Sequence, residues 1–223
     1  MSSLVLFDID GTLVRKAGPH HRQALVDAIR RVTGLDTTTE GIPVHEMLDP
    51  DILSQMLQRA GFDSARIAAV MPSILTAAED AYLEGVPDLK DKQCPGVIPL
   101  LDALTARGVV LALVTGNLTR IGWHKLRRAG LDRYFRFGAF GEMAATRSGL
   151  ARIAIEQARR EHAIDDSSNI SLIGDAMQDV VAAHENGIRA IAVRTGITPA
   201  EELEGAGPDL ILDDLTHLDP TII

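Results

Sequence analysis

Phe7-Asp8-Ile9-Asp10-Gly11-Thr12-Leu13 follows directly on an apolar run, Leu4–Phe7, that reads as a buried strand. In a parallel sheet, ligands bind at the carboxyl ends of the strands, so this strand carries two carboxylates to a binding edge. Carboxylates two residues apart can point into one crevice. Two anions that close repel unless a cation lies between them or one keeps its proton. Gly11 permits a tight turn, and Thr12 offers a hydroxyl and a backbone amide. The plainer reading is an acidic strand-to-loop junction.

Further along the chain, short apolar runs alternate with longer helical patterns. The other strand candidates are Val109–Val114, Arg136–Phe140, Ile170–Ile173, Ala190–Val193 and Leu210–Leu212. Helical stretches Val97–Arg107, Thr119–Ala129 and Asp179–Asn186 each stop at a glycine, Gly108, Gly130 or Gly187, which is a C-terminal helix stop. Near-continuous apolar strands alternating with helices predict an α/β fold, a Rossmann-like parallel sheet covered on both faces.

Between Arg15 and Lys92 the alternation breaks and only helices are predicted. His20–Val32 carries Ala24, Leu25, Ala28, Ile29 and Val32 on one helical face. Asp49-Pro50 opens a second helix, with Asp49 as N-cap and proline at the first helical position, and Gly61 closes it. Ser64–Leu83 reads as a third helical region, interrupted or kinked at Pro72. Cys94-Pro95-Gly96 is a turn that restores the alternation. The expected organisation is an α/β core of residues 1–14 and 93–223 with an all-helical insertion of residues 15–92.

Two more clusters follow apolar strands. Val114-Thr115-Gly116-Asn117 places a hydroxyl and successive backbone amides before a helix, which suits a phosphate oxygen or, more plainly, a capping turn. Ile173-Gly174-Asp175-Ala176-Met177-Gln178-Asp179 sets two aspartates four apart. One could ligate a hard divalent cation with the other behind it; Asp179 alone could simply complement a helix dipole.

The 223-residue chain has ordinary globular composition, 46% hydrophobic and 24% charged. Its net charge of −9 disfavours nucleic acid and anionic membrane as partners. No run approaches the roughly 20 apolar residues of a membrane span, and the N-terminus lacks the pattern of a signal peptide. One cysteine, Cys94, excludes an internal disulfide, and a cytoplasmic setting is expected. Only Lys16, Lys90, Lys92 and Lys125 are lysines.

In that order the three motifs and the helical insertion resemble the haloacid dehalogenase superfamily, in its phosphatase branch with a helical cap. The resemblance covers nearly the whole chain. It implies that Asp8 is a nucleophile forming an aspartyl-phosphate and that Asp10 is the general acid and then base. It further implies that Thr115 holds the phosphoryl group, with Gly11, Thr12, Gly116 and Asn117 also phosphate-binding. Mg2+ would be ligated by Asp8, the backbone carbonyl of Asp10 and Asp175, with Asp179 supporting its water shell. The second aspartate separates phosphatases from dehalogenases, because an alkoxide leaving group needs a proton and a halide does not.

The superfamily also expects a lysine between the threonine and late acidic motifs, and no lysine follows position 125. Arg147, in Ala144-Ala145-Thr146-Arg147-Ser148-Gly149, is the positional match, since its guanidinium can fork onto a phosphate. Lys125 is the rival, placed early for the role, and a third outcome is that neither fills it. Candidate substrate contacts in the cap are Arg15, Lys16, His20, His21, His45 and Asp49. Each has an ordinary reading as a hinge charge, helix flank or cap, and a Schiff-base role for Lys16 fits an exposed hinge poorly. The Pro43–Ile52 stretch resembles the cap of phosphoglycolate-phosphatase-like members. The expected activity is Mg2+-dependent hydrolysis of a small phosphorylated metabolite, phosphoglycolate-like, by a monomer or homodimer. The alternatives are a phosphoglucomutase-like phosphoryl transferase and a phosphate-binding module that has lost turnover.

Overall fold

A computed structural model describes residues 2–15, 19–45, 47–85 and 87–222. Six parallel strands form one sheet in the order β3-β2-β1-β4-β5-β6. They are β1 (Ser3–Phe7), β2 (Val110–Val114), β3 (Gly138–Ala139), β4 (Asn169–Gly174), β5 (Arg189–Val193) and β6 (Leu210–Leu212). Alternate residues enter opposite cores. Val5, Phe7, Leu113, Ile173, Ile191 and Val193 pack on one face, and Leu4, Leu6, Ala112, Val114, Leu172 and Ala192 on the other. Burial on both faces explains why these strands read as unbroken apolar runs. The third is shorter than its apolar run, Arg136–Phe140, suggests. It lies at the sheet edge, and only Gly138 and Ala139 find ladder partners, in Leu113 and Val114.

Among the described residues the α-helices are α1 (His20–Thr33), α2 (Asp49–Arg59), α3 (Ser64–Gly85), α4 (Val97–Ala106), α5 (Thr119–Ala129), α6 (Arg147–Glu161), α7 (Met177–Glu185) and α8 (Ala200–Gly205). The glycine stops hold: Gly108, Gly130 and Gly187 have φ of 72°, 70° and 66°. Helix α3 is not interrupted at Pro72; it continues through the proline as one helix from Ser64 to Gly85. Helices α1–α3 share a core that includes Ile29, Leu53, Ile74 and Tyr82 and extends onto Leu118 and Ile121 at the start of α5. Two connections join these helices to the sheet and run side by side, with the Arg15 N–H on the Lys92 carbonyl and the Cys94 N–H on the Leu13 carbonyl. Lys16 lies outside the described residues.

Asp49 does not cap its own helix, as its sequence position suggests. It is the first residue of α2, and Leu48 occupies the capping position. Its carboxylate instead accepts the Leu118 N–H at 2.9 Å, so it caps α5 from across the fold.

The strands β2, β1 and β4 are neighbours, and the chain winds outward from β1 in both directions, first through β2 and β3 and later through β4 to β6. The crevice at their carboxyl ends is thus the switch point of the sheet. Asp8, Thr115 and Asp175 stand there, each within one residue of a strand end.

Candidate active site

A cavity of about 240 Å³ opens over these strand ends. Asp8, Asp10, Gly11, Thr115, Gly116, Asn117, Arg147 and Asp175 line its floor, and helices α1 and α2 and the loop between them add His21, Arg22, His45, Met47 and Asp49. His20 and Arg15 do not line it.

On one side of the floor, Arg147 is buried between carboxylates. Its Nη1 donates to Asp8 Oδ1 at 3.0 Å and to Asp179 Oδ1 at 2.7 Å. Thr146 caps α6 through the Gly149 N–H at 3.1 Å, which fixes the backbone from which Arg147 projects. Asp179 is buried in the first turn of α7, where its Oδ2 accepts the Ala176 N–H at 3.1 Å. Thr12 is wholly buried behind the floor and donates to Asp175 Oδ1 at 3.1 Å, so its hydroxyl orients a carboxylate and does not face the cavity.

Ligand oxygens of Asp8, Asp175 and Asp179 lie within 4.8 Å of one another, all buried. Burial raises the Asp8 pKa to about 7 against the pull of Arg147, and the charges of Asp179 and Asp10 add to the rise. Asp175 is pushed well above the usual carboxylate range by burial and by Asp8 and Asp179. Three crowded carboxylates against one guanidinium leave negative charge uncompensated, and all the donors are hard oxygens. That set suits Mg2+, which prefers carboxylates, water and phosphate oxygens. The cradle is tight. Gly11 has φ 86°, and a Cβ there or at Gly196 would overlap the Asp175 carboxylate. Gly116 leaves room for Arg147 Nη2, which would sit 3.4 Å from a Cβ.

The other side is built around Lys125, 1% exposed. Its Nζ donates to Asp10 Oδ2 at 2.5 Å, Asn117 Oδ1 at 2.6 Å and His21 Nδ1 at 3.2 Å. Asn117 Nδ2 donates to Asp10 Oδ2 at 2.8 Å and Thr115 Oγ1 at 2.6 Å. The Asn117 side chain, expected to bind phosphate, is therefore fully engaged with its neighbours. Burial within the cleft works to raise the Asp10 pKa, but Lys125, His21 and Asn117 outweigh it and hold the carboxyl below its ordinary value. His21 Nε2 lies 2.9 Å from Asp49 Oδ2.

Lys125 thus faces Asp10, and Arg147 faces Asp8. The early position of Lys125 in the chain counts against it as the superfamily's lysine. Its periodicity points the other way, because it falls on the buried face of α5 with Ile121, Gly122, Leu126 and Ala129. A lysine on an apolar stripe needs a partner. Thr195 and Gly196 also line the cavity, though neither belongs to any of the three motifs. Thr195 Oγ1 donates to the Gly11 carbonyl, and Gly196 packs on Asp175. Their one trace is a Thr-Gly pair directly beyond a buried strand.

A model of haloacid dehalogenase-like hydrolases matches residues 3–187. The chain belongs to this family. It is 28% identical over 233 aligned residues to a phosphoglycolate phosphatase of Agrobacterium fabrum, covering 100% of this chain and 93% of that one. Among solved structures it resembles CbbY from Rhodobacter sphaeroides in complex with phosphate, with a TM-score of 0.71, 21% identity and coverage of 98% and 96%. A β-phosphoglucomutase from Clostridium difficile gives a TM-score of 0.71 at 16% identity, covering 98% and 94%. At these identities the two structures speak for the fold alone. No helix among the described residues is long and apolar enough to cross a membrane.

Proposed function

We propose that this phosphatase hydrolyses a small phosphomonoester through a covalent intermediate on Asp8, with Mg2+ as cofactor. The observation that supports this most directly is the placement of Asp8 beside Arg147 and among the Asp175 and Asp179 carboxylates. Asp10 lines the same cavity.

Asp8 supplies the attacking oxygen. A carboxylate is a poor nucleophile toward a phosphate dianion, because both are negative. Arg147 offsets part of that charge, holding Asp8 through Nη1, with Nη2 beside Gly116 available for a phosphate oxygen. Thr115 and the backbone of Gly116 take other oxygens. Asp8, the Asp10 carbonyl and Asp175 would hold Mg2+, with Asp179 behind them. When bound, the ion neutralises phosphate charge and steadies the in-line geometry. Because Lys125 and Asn117 hold Asp10 ionised, it takes up a proton as the substrate monoanion binds. As the Asp8 oxygen bonds to phosphorus and the bond to the leaving oxygen breaks, Asp10 gives that oxygen this proton. Asp10 then takes a proton from water, whose oxygen attacks the same phosphorus. The acyl-phosphate bond breaks, phosphate departs and Asp8 is restored.

The segment 15–92 acts as a cap over this chemistry, excluding bulk water and large substrates. A cavity of about 240 Å³ with Arg22 on its wall suits a compact leaving group bearing negative charge, such as glycolate. The phosphoglycolate phosphatase relative supports the same substrate class. The test is phosphate release from phosphoglycolate, a hexose phosphate and a nucleoside monophosphate, with and without Mg2+, using Asp8→Asn as blank. Mg2+-dependent release above the blank supports the proposal. Isomerisation of the hexose phosphate without release replaces hydrolysis with phosphoryl transfer, and silence on every ester replaces it with a binding module.

A further inference from the structure

We infer that Lys125 is a positioning residue for Asp10, and that His21 and Asp49, from the helical segment, brace it. This deepens the proposed phosphatase reading and rests on it.

A lysine ammonium has three N–H donors and no acceptor. Here all three have partners: Asp10 Oδ2, Asn117 Oδ1 and His21 Nδ1. Because Lys125 can only donate, His21 Nδ1 must accept, which leaves Nε2–H to donate to Asp49 Oδ2 at 2.9 Å. Asp49 is itself held by the Leu118 N–H at the start of α5, the helix that carries Lys125. The chain of contacts therefore closes on itself, from α5 through Lys125, His21 and Asp49 back to α5. The ring of Tyr82 lies edge-on to His21, with centroids 5.6 Å apart. An ammonium buried to this degree is costly unless every donor is satisfied. Its position is therefore closely determined, and so is the position of the oxygen it holds.

The consequence falls on Asp10. Lys125 and Asn117 both donate to the same oxygen, Oδ2. No donor among the described residues reaches Oδ1, and 42% of the Asp10 side chain is open to the cleft. One oxygen is pinned and the other is presented for proton exchange with the leaving oxygen and then with water. Arg147 plays no part in this, because its contacts are with Asp8 and Asp179. The two buried cations thus serve different carboxylates.

The test is a double-mutant cycle on two esters, scored by kcat/KM, which reports steps through formation of the phosphoenzyme. Phosphoglycolate has an alkoxide leaving group and needs a proton; 2,4-dinitrophenyl phosphate has a stable leaving group and does not. Lys125→Met is expected to lose about 10²-fold on phosphoglycolate, within the range of a general acid's contribution. It should stay within about threefold of wild type on the dinitrophenyl ester, because that ester makes no use of the positioned proton. With Asp10→Asn already in place, adding Lys125→Met should cost no further loss beyond about threefold, the signature of residues acting as a unit. Equal losses on both esters, or losses that multiply in the double variant, would overturn the inference and make Lys125 a structural ion-pair partner. Melting temperature, and its rise with Mg2+, checks that each variant is folded. If Lys125→Met does not fold, His21→Ala carries the same cycle with an expected loss of about tenfold on phosphoglycolate alone. A wild-type enzyme inactive on both esters removes the phosphatase reading and this inference together. An active wild type with multiplying losses removes the inference only.

Discussion

The two sides of the cavity are built differently. Toward Asp8, every charged group comes from the sheet's carboxyl edge or a helix start next to it, and a guanidinium bridges two carboxylates, Asp8 and Asp179. Toward Asp10, the cation is an ammonium from within α5, and its partners include a histidine from the helical segment. The first arrangement is short in sequence relative to the strands and overloaded with negative charge. The second is assembled across the fold and has every donor matched. The contrast teaches that the Asp8 side leaves negative charge uncompensated by protein cations, whereas on the Asp10 side each N–H of the buried ammonium meets an acceptor within the fold.

The largest expected effect breaks the Asp8 side at its centre. Asp8→Asn should lower kcat by at least about 10⁴-fold, the scale of losing a covalent nucleophile. Turnover within tenfold of wild type would mean that Asp8 forms no covalent intermediate. Arg147→Ala comes next, with an expected fall in kcat/KM of about 10²- to 10³-fold, comparable to removing one preorganised charge-stabilising donor. Arg147→Lys keeps a point charge while losing the fork, so its loss should be smaller than that of the alanine variant. If lysine and alanine behave alike at 147, the fork geometry and not the charge is what counts there. Gly196→Ala pushes a methyl group into Asp175 and should weaken Mg2+ binding by about 10- to 100-fold, as disturbed ligand supports do. Titration calorimetry with Mg2+ measures this directly.

A smaller effect sharpens the charge difference between the two sides. The ordinary carboxylate value is 3.8, and Asp8 in the folded chain stands at about 7. Between those values the native state holds a proton that the unfolded chain has lost. Stability without metal must then fall as pH rises through that window. The melting temperature of Mg2+-free protein should accordingly drop more steeply from pH 4 to pH 7 than that of Asp8→Asn. Parallel slopes in the two proteins would show that the Asp8 side carries no excess negative charge. On the Asp10 side, Asp49→Ala orphans the buried Leu118 N–H and should cost about 1–3 kcal/mol in chemical denaturation.

How legible each side was follows from this construction. Asp8, Thr115 and Asp175 stand at the ends of buried strands, and a strand buried on both faces announces itself as an apolar run. Residues that follow such runs can be read as edge residues without knowing the fold. Arg147 was findable only through the family resemblance, as the cation standing just before a helix where the superfamily places its lysine. The contact between Lys125 and Asp10 spans 115 positions in the chain and carries no motif. Asp49 shows the same limit, since its place before a proline suggests a cap for α2 and only the approach of its backbone to the Gly116 carbonyl, just before α5, turns its carboxylate toward Leu118.

From its residues alone, this chain is determined to be an α/β sheet interrupted by helices, with carboxylates at the strand ends, because strand and helix periodicities are local properties. The tertiary structure alone decided which cation meets which carboxylate. A buried charge takes the partner that folding brings within about 3 Å, and the cost of leaving it unpaired enforces that choice whatever the separation in sequence.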